Sequence, residues 1–164
     1  WKTGNGELAY RMSMSLRGWI TETDQLTSLG PDGRPTKIAV RGYTDSGDAT
    51  EDFNVDANGI ARWKTAVDGG SAPFDNKRYS AYGGPLLARA LDVEALVKAG
   101  DKGIDLLPGG RASISIGAPT EIDGPAGKET EEHAYIAGAG VAPSPVWLRA
   151  RRGGRLHPQR VCRL

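Results

Sequence analysis

Leu8-Ala9-Tyr10-Arg11-Met12-Ser13-Met14-Ser15-Leu16 alternates large apolar and small or polar side chains with a period of two. Successive side chains of an extended strand point to opposite faces, so this stretch reads as a β-strand with Leu8, Tyr10, Met12, Met14 and Leu16 on its buried side. Trp19 and Ile20 extend or follow it. Further along, Gly30-Pro31-Asp32-Gly33-Arg34-Pro35 is a turn, because proline presets φ and Asp-Gly tolerates positive φ. Lys37 to Tyr43 then places Ile38 and Val40 on one face of a second strand. Asp52–Val55 and Ile60–Thr65 flank Asp56-Ala57-Asn58-Gly59, the signature of a hairpin. Tyr79 to Tyr82 is a short β-like stretch.

One segment has a helical period. Pro85 suits the first helical position, and Leu86, Leu87, Ala90, Leu91, Val93, Leu96 and Val97 recur every three or four residues. Lys98 falls in the last turn, and Gly100 suits a left-handed cap. The helix is expected over about residues 85–99, with an apolar stripe wide enough to pack on a sheet. Extended segments resume at Ile104–Leu107, at Arg111–Ile116, at Lys128–Ile136 with Ala134 and Ile136 on one face, and at Val146-Trp147-Leu148. Pro108-Gly109-Gly110 and Asp123 to Gly127 are the turns between them. The expected fold class is mainly β (α+β): an antiparallel curved sheet or meander with one inserted amphipathic helix, and no βαβ alternation.

The chain has 164 residues, with 21 Lys+Arg, 20 Asp+Glu and a net charge of +1. That balance joins two unlike parts. Residues 1–148 carry a net charge of −5, and from Arg149 onward there are six arginines and no acid. One β-rich domain over 1–148 and an Arg-rich tail over 149–164, disordered or frame-shifted, are expected. No run approaches the ~20 apolar residues of a membrane-spanning helix, so no membrane span is expected. A single cysteine, Cys162, excludes an intrachain disulfide and leaves the compartment open. A start at Trp1, without a charged and then apolar leader, is read as a removed leader or a fragment.

Chemistry that needs particular residues finds few of them. A zinc site wants three or four His, Cys or carboxylate ligands. The chain offers His133, His157 and Cys162, with no His-x-His, no His-Glu-x-x-His and no paired cysteines. Asn54 to Gly59 matches the first half of a calcium loop, but position twelve would be Thr65 instead of a bidentate glutamate, and a turn is the plainer account. Asp45, Asp48, Glu51 and Asp52 read as a solvated acidic loop, able at most to hold a weak cation. Serine catalysis lacks its elbow, and Glu131 and Glu132 beside His133 do not form a triad. Gly83-Gly84-Pro85 opens the helix and could offer amides to an anion, although a simple helix start explains it equally well. Trp63, Tyr79 and Tyr82 are the candidate binding residues, lining a pocket or contact surface, with a place in the core as the commoner role. The tail could grip phosphate, but no aromatics interleave with its arginines, and nucleic acid is not an expected partner.

The order of several short motifs resembles a known family. It runs from the Asp56–Gly59 hairpin to Gly69-Gly70, read as a loop, and Tyr79-Ser80-Ala81-Tyr82. Leu87-Ala88-Arg89-Ala90-Leu91 follows, then Leu106-Leu107-Pro108-Gly109-Gly110-Arg111-Ala112, and finally Pro143-Ser144-Pro145-Val146-Trp147-Leu148. Over roughly residues 20–148 this resembles the β-rich N-terminal region that precedes the catalytic barrel in a group of bacterial amidohydrolases. The resemblance implies a β domain ahead of a metal-dependent (β/α)₈ hydrolase in which zinc or another divalent metal activates water for attack on an amide-type C–N bond. It implies that the metal ligands lie outside this chain, that the chain itself has no cofactor and no catalytic residue, and that its partner is the barrel. A bacterial, extracytoplasmic (periplasmic) setting fits the same picture. Arg149 onward departs from the family, which continues with an acidic turn and a strand. A small apolar-ligand-binding β protein is the alternative, followed by nucleic-acid binding through the tail.

Overall fold

In a computed structural model of the chain, the structure describes residues 6–124, 127–138 and 144–149. The expected fold class holds: antiparallel strands dominate and one α-helix is inserted. The described residues fall into two compact units, one formed by those up to 89 together with 106–108, the other by 90–105 together with those from 109 to 149. Nothing in the composition of residues 1–148 marks that boundary, and one domain is what the sequence predicts there.

The first unit is built on an antiparallel sheet. Its strands are β1 (Leu8–Leu16), β2 (Trp19–Leu29), β3 (Pro35–Thr44), β4 (Gly47–Asp48), β5 (Glu51–Val55), β6 (Ile60–Thr65) and β7 (Gly69–Pro73). The order is β1-β2-β3-β5-β6-β7, with β4 paired to the end of β3. β1 and β2 form one unbroken hairpin, Leu8 opposite Thr27 through Leu16 opposite Trp19, turned by Arg17-Gly18. Trp19 therefore begins a new strand and does not extend the first.

β2 has no hydrophobic alternation. Its inward positions are Thr21, Thr23, Gln25 and Thr27, all at most 5% exposed, while Leu26 on the other face is exposed. The β-branched threonines suit a strand, but they give hydropathy no period to detect. Gly42 in β3 is required by its backbone: its φ is +130°, and a Cβ there would fall on the Glu22 carbonyl of β2.

Register collects the core of this unit on one face. Ile38 stands opposite Phe53, and Phe53 opposite Trp63. Ile38, Val40, Phe53, Ala61, Phe74, Tyr79 and Leu107 form the buried cluster. Full burial of a Phe or Val side chain stabilises a fold by about 1.5–3 kcal/mol each. Gly69-Gly70, expected as a loop, is instead paired within β7. The reason is steric: a Cβ on Gly70 would stand 2.6 Å from Cζ2 of Trp63, whose ring occupies that space. The turn at Gly30–Pro35 is stapled by Arg34, which caps Asp32 and lies 4.4 Å over the Phe74 ring.

β8 is only Arg78–Tyr79, shorter than the expected stretch to Tyr82, and it pairs in parallel with Leu106-Leu107 of β9 (Ile104–Leu107). In the second unit, Ile104 and Asp105 of β9 pair with β10 (Arg111–Gly124). β10 pairs with β11 (Gly127–Gly138), and β11 with β12 (Ser144–Arg149). A bulge between Ile116 and Pro119 lets β10 run well past the expected end at Ile116. The helical segment opens as a 3₁₀ turn, Leu86–Arg89, before α1 (Ala90–Ala99), whose Val93 and Leu96 are buried. α1 contacts β10, as its apolar stripe implied. Gly100 after it has φ +57°, the left-handed cap its position called for. Ala112, Ala134, Ile136 and Val146 are buried in this unit.

Candidate functional site

The chemistry of the first unit gathers where β5, β8 and the Gly83-Gly84 segment meet. Glu51 and Asp52 are neighbours on β5, so their side chains leave on opposite faces. Asp52 is exposed and meets the Arg41 guanidinium at 2.8 Å. Glu51 turns inward and is only 2% exposed. One carboxylate oxygen accepts the Tyr79 hydroxyl, and the other accepts the Gly83 amide at 3.0 Å. The expected solvated acidic loop is therefore corrected at Glu51, which is a core residue. The Gly83 amide, which could have been offered to an external anion, is taken by a carboxylate of the chain itself. Of the other two acids, Asp48 accepts the Thr50 amide at 2.8 Å, and this bonding to Thr50 holds its carboxyl below the ordinary value.

Tyr79 is buried and stacked on Phe53, with ring centroids 4.4 Å apart and planes 10° apart. Burial first, and then the bond to the Glu51 carboxylate, push its phenol well above the usual tyrosine range. Both effects favour the neutral phenol. Trp63 lies 6.4 Å from Tyr79 and is partly buried against the same cluster, its Nε1 buried without a hydrogen-bond partner. Tyr82 is 85% exposed. Of the three candidate binding residues, the fold thus brings Trp63 and Tyr79 together around Phe53 and leaves Tyr82 outside that cluster.

A second feature lies on the opposite, outward face of the sheet. Arg11 faces Asp24, Asp24 faces Arg41, and Asp52 faces Lys64 across successive strands. Arg11 grips Asp24 with two bonds, at 2.6 and 2.7 Å. That bonding lowers the Asp24 carboxyl below, and raises the Arg11 guanidinium above, its ordinary value. Arg11, Ser13, Glu22, Asp24, Arg41 and Tyr43 line a groove of about 460 Å³ here. Its arginines are already matched by Asp24 and Asp52, so it offers a balanced charged surface and no concentrated field. Thr23 also borders it, but strand alternation turns its buried, unpartnered hydroxyl to the other face of the sheet.

The hairpin at Asn54–Gly59 is a turn held by its own aspartate. Asp56 Oδ1 accepts the amides of Asn58 at 2.9 Å and Ile60 at 3.1 Å, and Gly59 has φ +74°. Among the described residues no three His, Cys, Asp or Glu side chains gather as a metal would require. His133 is exposed on β11; His157 and Cys162 lie outside the described residues, as does the Arg-rich tail beyond Arg149. No described helix is long and apolar enough to cross a membrane. No protein-family model, curated protein or solved structure matches the chain.

Proposed function

We propose that the chain is the non-catalytic, β-rich N-terminal module of an amidohydrolase-type metal-dependent hydrolase, with the barrel of the parent as its partner. The parent would hydrolyse amide-type C–N bonds with zinc or another divalent ion held in that barrel, in a bacterial and extracytoplasmic setting. One observation supports a scaffolding role: in the first unit, motif residues that carry the family resemblance serve as framework. Asp56 ties its hairpin, Gly70 seats Trp63, Tyr79 fills the core, and Leu106-Leu107 pair with β8. Glu51, the only buried acid among the described residues, is bound by Tyr79 and Gly83, which suits anchoring better than proton transfer.

The purified chain is expected to show no amidase, esterase or lactonase turnover, with or without added zinc. Zinc-dependent turnover by this chain would overturn the reading. Coding DNA beyond the Leu148 codon is expected, in a shifted frame, to encode an acidic turn, a strand and then a His-x-His. Its absence in all frames would remove the proposed parentage.

A further inference from the structure

The described residues of the first unit include three Asp-Gly or Asn-Gly pairs: Asp32-Gly33, Asn58-Gly59 and Asp68-Gly69. In such a pair the glycine amide nitrogen can close a five-membered ring on the side chain before it, because glycine puts no side chain in the way. The direction of that amide decides whether the fold favours closure. Gly33 donates to the Gly30 carbonyl at 3.0 Å, and both Asp32 carboxylate oxygens are taken by Arg34. Gly59 donates to the Asp56 carbonyl at 3.0 Å. In both turns the amide is engaged by a carbonyl elsewhere in the turn.

Asp68-Gly69 differs. Thr65 donates its amide to the Asp68 carbonyl at 2.7 Å, so at the next pair, Lys64 and Gly69, the backbone groups point away from each other. β7 is an edge of its sheet, and the Gly69 N–H leaves the ladder there. It donates instead to Oδ1 of Asp68, at 2.7 Å. A carbon–oxygen bond of about 1.2 Å joins that oxygen to Cγ, so Cγ lies within about 3.9 Å of the nitrogen. Reacting atoms held for attack stand roughly 3–3.5 Å apart, close to this arrangement. Asp68 is also exposed, so water reaches it.

We propose that Asp68-Gly69 is a self-modification site, at which Asp68 converts to isoaspartate through a cyclic imide. The step starts from the carboxylic acid form of Asp68. The Gly69 nitrogen bonds to Cγ, and its proton leaves with the carboxyl hydroxyl as water. A second water then opens the ring. Attack at Cγ restores aspartate. Attack at the main-chain carbonyl breaks its bond to nitrogen and leaves the chain running through Cβ and Cγ. Water is the sole co-reactant, and the net composition is unchanged. The product lengthens the backbone by one carbon immediately before β7, where Gly70 stands opposite Trp63 and against its ring. Conversion therefore slips β7 against β6 and loosens the seat of Trp63. The inference does not depend on the reading of the chain as a hydrolase module.

The test incubates the full chain at mildly acidic pH, folded or in urea, and measures isoaspartate by enzymatic methylation and peptide mapping. Asp32-Gly33 is the internal control, because it is the same dipeptide. In urea the two Asp-Gly sites are expected to convert at similar rates. In the folded chain Asp68 should convert several-fold faster than Asp32, and amides of β6 and β7 should lose hydrogen-exchange protection as it does. Asp68→Glu, which would need a six-membered ring, should abolish the label at position 68 with circular dichroism unchanged. Conversion at Asp68 no faster than at Asp32 in the folded chain, or an undiminished label in Asp68→Glu, would overturn the proposal. Unchanged exchange in the converted chain would overturn the loosening of β7.

Discussion

By its sequence Glu51 belongs with the acids of a solvated loop, yet it lies inside the sheet. Nothing local marks it, because its partners Tyr79 and Gly83 are 28 and 32 residues away. Hydropathy sees only a charged residue between Thr50 and Asp52, whereas strand alternation sends Asp52 to water and Glu51 to the core. Removing the carboxylate leaves a buried hydroxyl and a backbone amide unpaired. Glu51→Ala is therefore expected to cost about 2–4 kcal/mol, and Tyr79→Phe, which deletes one bond to a charged acceptor, about 1.5–3 kcal/mol. Urea unfolding checks the order, and an equal effect of both would count against it. Tyr79 also sets an alkaline limit. Its folded value is raised, so above the ordinary value of 10.0 the unfolded chain releases a proton that the folded chain retains. Stability then falls as pH rises from about 10. Tyr79→Phe should flatten that decline, measured as the pH dependence of the unfolding midpoint.

At the scale of elements, legibility followed side-chain chemistry. β1, the hairpin at Asp56–Gly59 and the helix were readable as elements because each pairs an apolar period with turn or cap residues, although the apolar side expected to be buried in β1 is not, with Met14 and Leu16 exposed at its end. β2 was not, since its inward face is Thr21, Thr23, Gln25 and Thr27. β7 was masked by Gly69-Gly70, a pair that favours loops until a ring from the next strand needs the space. Of the candidate site, the aromatic character of Trp63 and Tyr79 was legible, but not their common packing on Phe53. The glycine explanation has a direct test. Gly70→Ala should force the Trp63 ring from its seat and cost about 1–3 kcal/mol, read as a lower urea midpoint with an unchanged slope. An unaltered midpoint would show that Trp63 yields without strain.

Across the whole molecule, near-neutrality conceals local order. The sequence shows an acidic body and a basic tail, but not that Arg11, Asp24, Arg41, Asp52 and Lys64 alternate in sign over five strands. That pattern exists only once register is set. Asp24 and Asp32 are held below their ordinary value of 3.8, Asp24 chiefly by the Arg11 side chain and Asp32 chiefly by the Arg34 backbone amide. Their contribution is complete above that value and disappears as pH falls through the folded values. Lowering the pH below about 4 should therefore destabilise the chain, and Asp24→Asn should reduce the slope. Added salt should shrink the difference between that variant and the unmodified chain, because these pairs are exposed. The division into units was hidden for another reason: the first unit is not continuous in sequence. Leu107, at 4% exposure, closes a core whose other members precede residue 80. During translation, residues 1–89 are polymerised before that closing residue exists. At about 5–20 residues per second, synthesis through Pro108 takes about one to four seconds more. Until then the cluster around Ile38 and Phe53 lacks a member, so the first unit cannot complete its core from its early strands alone and finishes only after the chain has grown beyond it.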